Sequence, residues 1–198
     1  MTLTQILAFA GFGLVSVLLL PASWRRWVWF LVSLGAVYWL QPGTSIRNLD
    51  FWFPATGILI TVLCWAATQK PGPISRRSWA ALTLTGVSIA LIGMTRYIEP
   101  LCCLTPTRPP PFGQIAAFLV ISIALTLLFQ NRFSRRPWLL DSLSLVLILL
   151  FIILKSPSLG QAVSAGVRAQ TGQSTELASA LDLRWLGFSY LAFRLLHT

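Results

Sequence analysis

Six long apolar runs, separated by short breaks rich in Arg or Pro, constrain this chain more than anything else in it; they cover residues 4–20, 27–40, 51–67, 80–94, 112–129 and 138–154. Their lengths lie near the lower limit of the roughly 17–25 residues that cross a hydrocarbon core of about 30 Å. The second and fourth fall short, and flanking Trp24, Trp79 and snorkelling Arg side chains extend them. An open-ended segment in lipid must satisfy its own backbone, so each run is predicted to be a helix, not a strand. The breaks agree. Pro21 closes the first run, Gln41-Pro42-Gly43 the second and Pro71-Gly72-Pro73 the third, while Pro137 opens the sixth. Composition closes off a soluble alternative: charged residues are 10% and hydrophobic ones 56%, against about 25% charged in an ordinary soluble domain. Too little polar surface remains to cover a water-facing exterior.

Charge orients the runs. On the side reached after the first run lie Arg25, Arg26, Lys70, Arg76, Arg77, Arg132, Arg135 and Arg136 with no acidic residue. The opposite side holds Arg47, Arg96, Arg108, Lys155, Arg168 and Arg184 against Asp50, Glu99, Glu176 and Asp182. The first set clusters beside helix ends in short loops, where the positive-inside bias operates, so that side is expected to be cytoplasmic and the N-terminus outside. No basic residue precedes the first run, which argues against a cleaved signal peptide. A net charge of +10 raises the question of nucleic acid, but the basic residues alternate between two faces and form no single patch. The bilayer is the expected partner, with anionic head groups drawn to the basic side.

Motifs of soluble enzymes are absent: no Gly-rich phosphate loop, no His-Glu-x-x-His and no Gly-x-Ser-x-Gly occurs. No catalytic, cofactor-binding or metal-ligating residue is assigned. Cys64 lies inside the third run and is expected to pack as a small apolar residue. Cys102 and Cys103 are adjacent, so they cannot chelate as a Cys-x-x-Cys pair does, and bonding to each other would strain the ring. A redox or metal role is the competing view of them. Asp141, the one carboxylate within an apolar run, falls in the first turns after Pro137, where the helix dipole favours its charge; a proton-relay carboxylate is the alternative. Residues 155–184 form the longest polar stretch. Leu159, Ala162, Val163 and Val167 sit there at helical spacing, interrupted by Gly160, Gly166 and Gly172, so either a short interfacial helix or a solvated extracytoplasmic loop is expected.

A seventh run begins at Trp185 and has 14 residues up to Thr198. Gly187, Tyr190, Arg194 and His197 share one helical face, and Arg194 lies about 13.5 Å beyond Trp185 at 1.5 Å per residue, near mid-membrane. A guanidinium at that depth calls for a protein interior or a watery cavity. The expectation is a fragment or half of a split gene: an all-α, polytopic transmembrane helical bundle with six complete spans (1–154), a polar segment (155–184) and a truncated seventh helix (185–198).

Leu186-Gly187-Phe188-Ser189-Tyr190-Leu191-Ala192-Phe193-Arg194 resembles the Leu-Gly-(Ile/Phe)-Ser-(Phe/Tyr)-x-x-Phe-(Arg/Gln) element that opens the catalytic core of the membrane-bound O-acyltransferase (MBOAT) family, bacterial type. The resemblance implies transfer of an acyl group from a thioester to a hydroxyl, inside a tunnel through the membrane, with a buried histidine as general base. That histidine belongs to sequence downstream of the element. His197 does not match it, so the chain alone is expected to be inactive until joined to a downstream core. Gly187, Tyr190 and Arg194 are then structural or tunnel-facing. Two other functions compete: a non-enzymatic membrane scaffold or assembly subunit, and a small transporter using Arg194 and Asp141. A bacterial cytoplasmic membrane is the expected location.

Overall fold

A computed structural model describes residues 3–41, 43–69, 74–98, 105–133 and 137–183. Lys70, Glu99, Cys102, Cys103, Arg135, Arg136 and Arg184 lie outside the described residues, as does the whole seventh run with Gly187, Tyr190, Arg194 and His197.

Among the described residues the chain is helical and contains no strand. Its seven α-helices are α1 (Leu3–Leu19), α2 (Ala22–Trp39), α3 (Leu49–Thr68), α4 (Arg76–Met94), α5 (Phe112–Leu128), α6 (Pro137–Lys155) and α7 (Pro157–Gln170). Each of the six long apolar runs forms one helix. Three of them are long and apolar enough to cross a membrane: α3, α4 with its 3-10 extension to Tyr97, and α5 with its π-helical extension to Asn131. From Asp141 onwards α6 meets that measure only together with α7, to which it is bent by 97°, and α1 contributes a shorter apolar stretch, Ala10–Leu19. The difference has a local cause in α2. That helix begins at Ala22 instead of residue 27, so its first turns carry Arg25 and Arg26. Pro21 ends α1 and immediately caps α2, leaving no room for a loop. The carbonyls that α1 leaves unpaired at its C-terminus are met by the Arg25 guanidinium, 2.9 Å from the Val17 oxygen and 3.1 Å from that of Leu20.

Side-chain contacts give the helix directions. Phe12 packs edge-on against Trp29, folding α1 and α2 into a hairpin. Tyr38 near the end of α2 meets Phe51 near the start of α3, and Trp52 meets Phe118. Late in α4, Gly93 touches Ile115 early in α5, and Leu154 of α6 packs near Leu49 at the start of α3. Thus α2, α4 and α6 run one way, α3 and α5 the other. The exposed Trp24, Trp79 and Trp138 all stand at the same end of the bundle, in the first turns of α2, α4 and α6. That is the position of an interfacial aromatic belt.

Small residues bring the helices close. Lipid tails are as apolar as leucine, so burial from water does not drive helices together; close van der Waals contact does. The central helix α3 buries Ala55, Gly57, Ala66 and Ala67 alongside Phe51 and Leu63. Gly93 plays the same part on α4, where an added Cβ would collide with Ile115 Cδ1. The shared core is Tyr38, Phe51, Ala55, Ile89, Ile92 and Ile115, contributed by α2, α3, α4 and α5.

Candidate functional site

The end of the bundle opposite Trp24, Trp79 and Trp138 carries a layer of buried polar groups built around two carboxylates. Helix α7 supplies half of one of them. Its terminus is set by sequence: Gly172 adopts φ +68°, and the amides of Gly172 and Gln173 donate back to the carbonyls of Ala169 and Arg168. This paired closure is the Schellman arrangement that Gly permits. The turn brings residues 173–183 back along the helix. Gly160 then lies against Ala180, where an added Cβ would stand 3.2 Å from the Ala180 Cβ. A larger residue would hold the two strands of this cap apart.

Within the cap, Arg168 and Asp182 form a buried ion pair, Arg168 Nη2 to Asp182 Oδ2 at 2.9 Å, with each side chain 6% exposed. Arg168 Nε also donates to that oxygen at 2.9 Å, and Ser164 Oγ donates at 2.7 Å. The second oxygen accepts from Ser45 Oγ at 2.5 Å, and the Ser179 amide closes on the carboxylate at 3.2 Å. Burial alone pushes the Asp182 carboxyl up; the bonds from Ser45, Ser164, the Ser179 amide and Arg168 outweigh it and hold it at about 2 against an ordinary 3.8. Ser45 belongs to the α2–α3 connection. Gln173 ties the same connection down by donating to the Ser45 carbonyl at 3.0 Å and accepting from the Arg47 amide at 3.1 Å. Below the polar layer, Ile46, Leu49 and Leu183 form a dry floor with Phe53, Leu154 and Val167.

The second carboxylate is Asp50, 1% exposed, in the first turn of α3. It accepts from the Thr107 amide at 2.7 Å and from the Thr107 hydroxyl at 2.5 Å. Thr107 lies in the segment leading into α5, which is further held by Arg96 donating to the Pro109 carbonyl and by Tyr97 Oη accepting from the Phe112 amide at 3.2 Å. Residues 43–50 are therefore a hub that joins the α4–α5 connection on one side to the α7 cap on the other.

Chemically, this layer is a clasp. Asp182 has its acceptor positions occupied by five donor contacts and stays ionised at any ordinary pH, so it suits neither proton donation nor proton abstraction. One polar group nearby lacks such satisfaction: among the described residues the fully buried Tyr38 hydroxyl has no partner. Removing it by Tyr38→Phe is expected to leave thermal stability unchanged or raise it by about 1–2 kcal/mol, since an unpaired buried hydroxyl is a cost. A clear fall in the melting temperature of the purified protein would show that the hydroxyl has a role this packing does not reveal.

Several sequence expectations change here. Asp50, Arg168 and Asp182 were expected as loop charges of the outer side; all three are buried, because a bonded partner offsets the desolvation each would otherwise suffer. In α7 the apolar positions Leu159 and Val163 point outward, 45% and 38% exposed, and the buried face is Gly160, Ser164 and Arg168. The spacing of those three at four-residue intervals was visible in sequence; Ser45 and Thr107, which bond Asp182 and Asp50, gave no local signal. Asp141 is exposed on α6. Cys64 is a free, half-buried thiol. The expected tunnel-facing set Gly187, Tyr190 and Arg194 lies outside the described residues.

Fold and site together define a class: an all-helical membrane protein, with three helices fit to cross the bilayer and a polar clasp at one end of them. No family model, curated protein or solved structure matches the chain.

Proposed function

We propose that this chain is the N-terminal membrane part of an MBOAT-like acyltransferase, which moves an acyl group from a thioester donor to a hydroxyl acceptor. The observation that carries this is the Leu186–Arg194 element and its place in the chain. It follows directly on the clasp, in which Asp182 anchors the polypeptide two residues ahead of Arg184. A catalytic core must receive its first helix at a fixed position, and an anchored start serves that purpose. In this scheme Gly187 and Tyr190 pack the new helix, Arg194 faces the tunnel, and the general base is a histidine from outside these 198 residues.

The scheme includes six crossings with the N-terminus outside, in a bacterial cytoplasmic membrane. Exposed Trp24, Trp79 and Trp138, with Arg25, Arg26, Arg76 and Arg77 beside them, support one basic interface at the even-numbered helix starts. The bend between α6 and α7, with Leu159 and Val163 turned outward, suits a cap resting at the opposite interface.

The test joins the chain to a downstream MBOAT-type core. Membranes holding the joined protein should transfer a radiolabelled acyl group from acyl thioester to hydroxyl acceptors, the chain alone should not, and Arg194→Leu should lower transfer at least tenfold. Reporter fusions at Gln5 and Cys103 should signal outside, and those at Arg77 and Arg136 inside. Transfer by the 198-residue chain alone would refute the placement of the base. A scaffold role is the second view, favoured by the fully bonded state of Asp182; it predicts no transfer in any form.

A further inference from the structure

A second feature lies at the end of the bundle marked by the exposed tryptophans. Helices α3, α4 and α5 leave between them a groove of about 370 Å³, walled by Ile58, Val62, Leu82, Gly86, Leu119 and Ile123. Of the four hydroxyls along it, Thr85, Ser122 and Thr126 each donate to a carbonyl of their own helix, and only the exposed Thr83 is left to a polar group, so the walls are overwhelmingly apolar. Val87 and Ile123 on its rim are about half exposed, so the groove opens sideways. These are the three helices fit to cross a bilayer, and a sideways opening on them faces hydrocarbon.

Length and charge select the occupant. Along α4 the lining runs from Trp79 to Ala90, about 16 Å at 1.5 Å per residue. That is about half of a ~30 Å hydrocarbon core, the depth of one leaflet. Trp79, 44% exposed, stands at the mouth, and one turn earlier come Arg76 and Arg77, both exposed and, among the described residues, without hydrogen bond or ion pair.

We propose that the groove between α3, α4 and α5 holds one acyl chain of an anionic phospholipid, whose head group is bound by Arg76 and Arg77. Dry walls take the chain, and the arginines take the phosphate and any further negative charge on the head group. The site requires only that α3 to α5 cross the bilayer and is independent of acyl transfer. Each basic residue near an anionic surface contributes about fivefold to binding, so the pair gives about 25-fold preference for an anionic over a zwitterionic head group.

Gly86 offers a clean way to block the groove, because an added Cβ there meets nothing within 4 Å. The experiment titrates purified, delipidated protein with dioleoylphosphatidylglycerol or dioleoylphosphatidylcholine and follows bound lipid by native mass spectrometry. The wild type should bind one phosphatidylglycerol with about 25-fold preference. Arg76→Gln with Arg77→Gln should abolish the preference while leaving binding of phosphatidylcholine intact. Gly86→Leu should remove saturable binding of both lipids, whereas Gly86→Ala, which tests helix propensity alone, should retain it. Leu119→Phe fills the same groove from α5 and substitutes if Gly86→Leu does not accumulate. Equal affinity of the wild type for the two lipids would overturn the head-group assignment. Undiminished binding in both groove-filling variants, or loss of a dimer in place of loss of lipid, would overturn the site.

Discussion

Asp182→Leu is expected to destabilise the protein by about 3–5 kcal/mol, the usual cost of leaving one member of a buried ion pair alone. The change strands the Arg168 Nε and Nη2 hydrogens in a site where the side chain is 6% exposed, and it removes the acceptor of Ser45, Ser164 and the Ser179 amide. Arg168→Met combined with Asp182→Leu should recover most of that loss, because an apolar pair of similar volume avoids desolvating either charge. Thermal unfolding in detergent gives the magnitude. Hydrogen exchange at the Ser179 and Arg47 amides reports whether the cap and the α2–α3 connection separate, as the Ser45 and Gln173 bonds require. A shift below 1 kcal/mol for the single change would mean that the clasp does not hold the cap.

The same carboxylate makes the cap sensitive to acid in a defined window. Asp182 is held at about 2 when folded, below the ordinary 3.8. A depressed carboxylate contributes stability that is fully present above the unfolded value and is lost as pH falls through the folded one. Exchange protection at Ser179 should therefore be constant above about pH 5 and decay between about pH 4 and 2. In the Arg168→Met, Asp182→Leu variant that decay should be absent.

Asp50→Leu is the second large effect, expected at about 2–4 kcal/mol. Asp50 accepts two bonds from Thr107, and bonds to a charged group are worth about 1.5–3 kcal/mol each, less what is regained by no longer burying a carboxylate. Its position in the first turn of α3 adds a favourable dipole interaction that leucine lacks. Thr107→Val separates the parts, since it removes the hydroxyl and keeps the amide, and should cost roughly half as much. The measurement is thermal unfolding together with protease cleavage within residues 105–111, which should rise sharply in Asp50→Leu. Unaltered cleavage would show that Arg96 and Tyr97 alone secure this segment.

How much of this was legible beforehand follows from what is local and what is not. That the chain is helical, and where its six long helices lie, could be read from apolar runs, because a backbone in hydrocarbon has to bond within its own segment. Gly160, Gly166 and Gly172 were all read as interruptions of a helical pattern, and only the structure separates them: Gly172 ends the helix in the αL conformation, while Gly160 and Gly166 lie within it. Arg25 and Arg26 misled on the start of α2, since the first turn of a helix accepts charged residues whose stems lie along it.

The fate of the charges was decided only in three dimensions. Counting treated Asp50, Arg168 and Asp182 as loop residues that balance one another across a membrane face. Asp182 instead bonds Ser45, 137 positions away, and Asp50 bonds Thr107, 57 positions away. No window along the chain contains both partners, and a charge is tolerated in the interior only when those partners arrive. Likewise the groove beside Arg76 and Arg77 is lined jointly by α3, α4 and α5, and at the far end of α4 the close approach of Gly93 to Ile115 sets its packing against α5. Hydropathy determines that a segment is buried from water; whether its neighbour is a helix, a lipid or an ion-pair partner depends on the packing of segments distant in sequence.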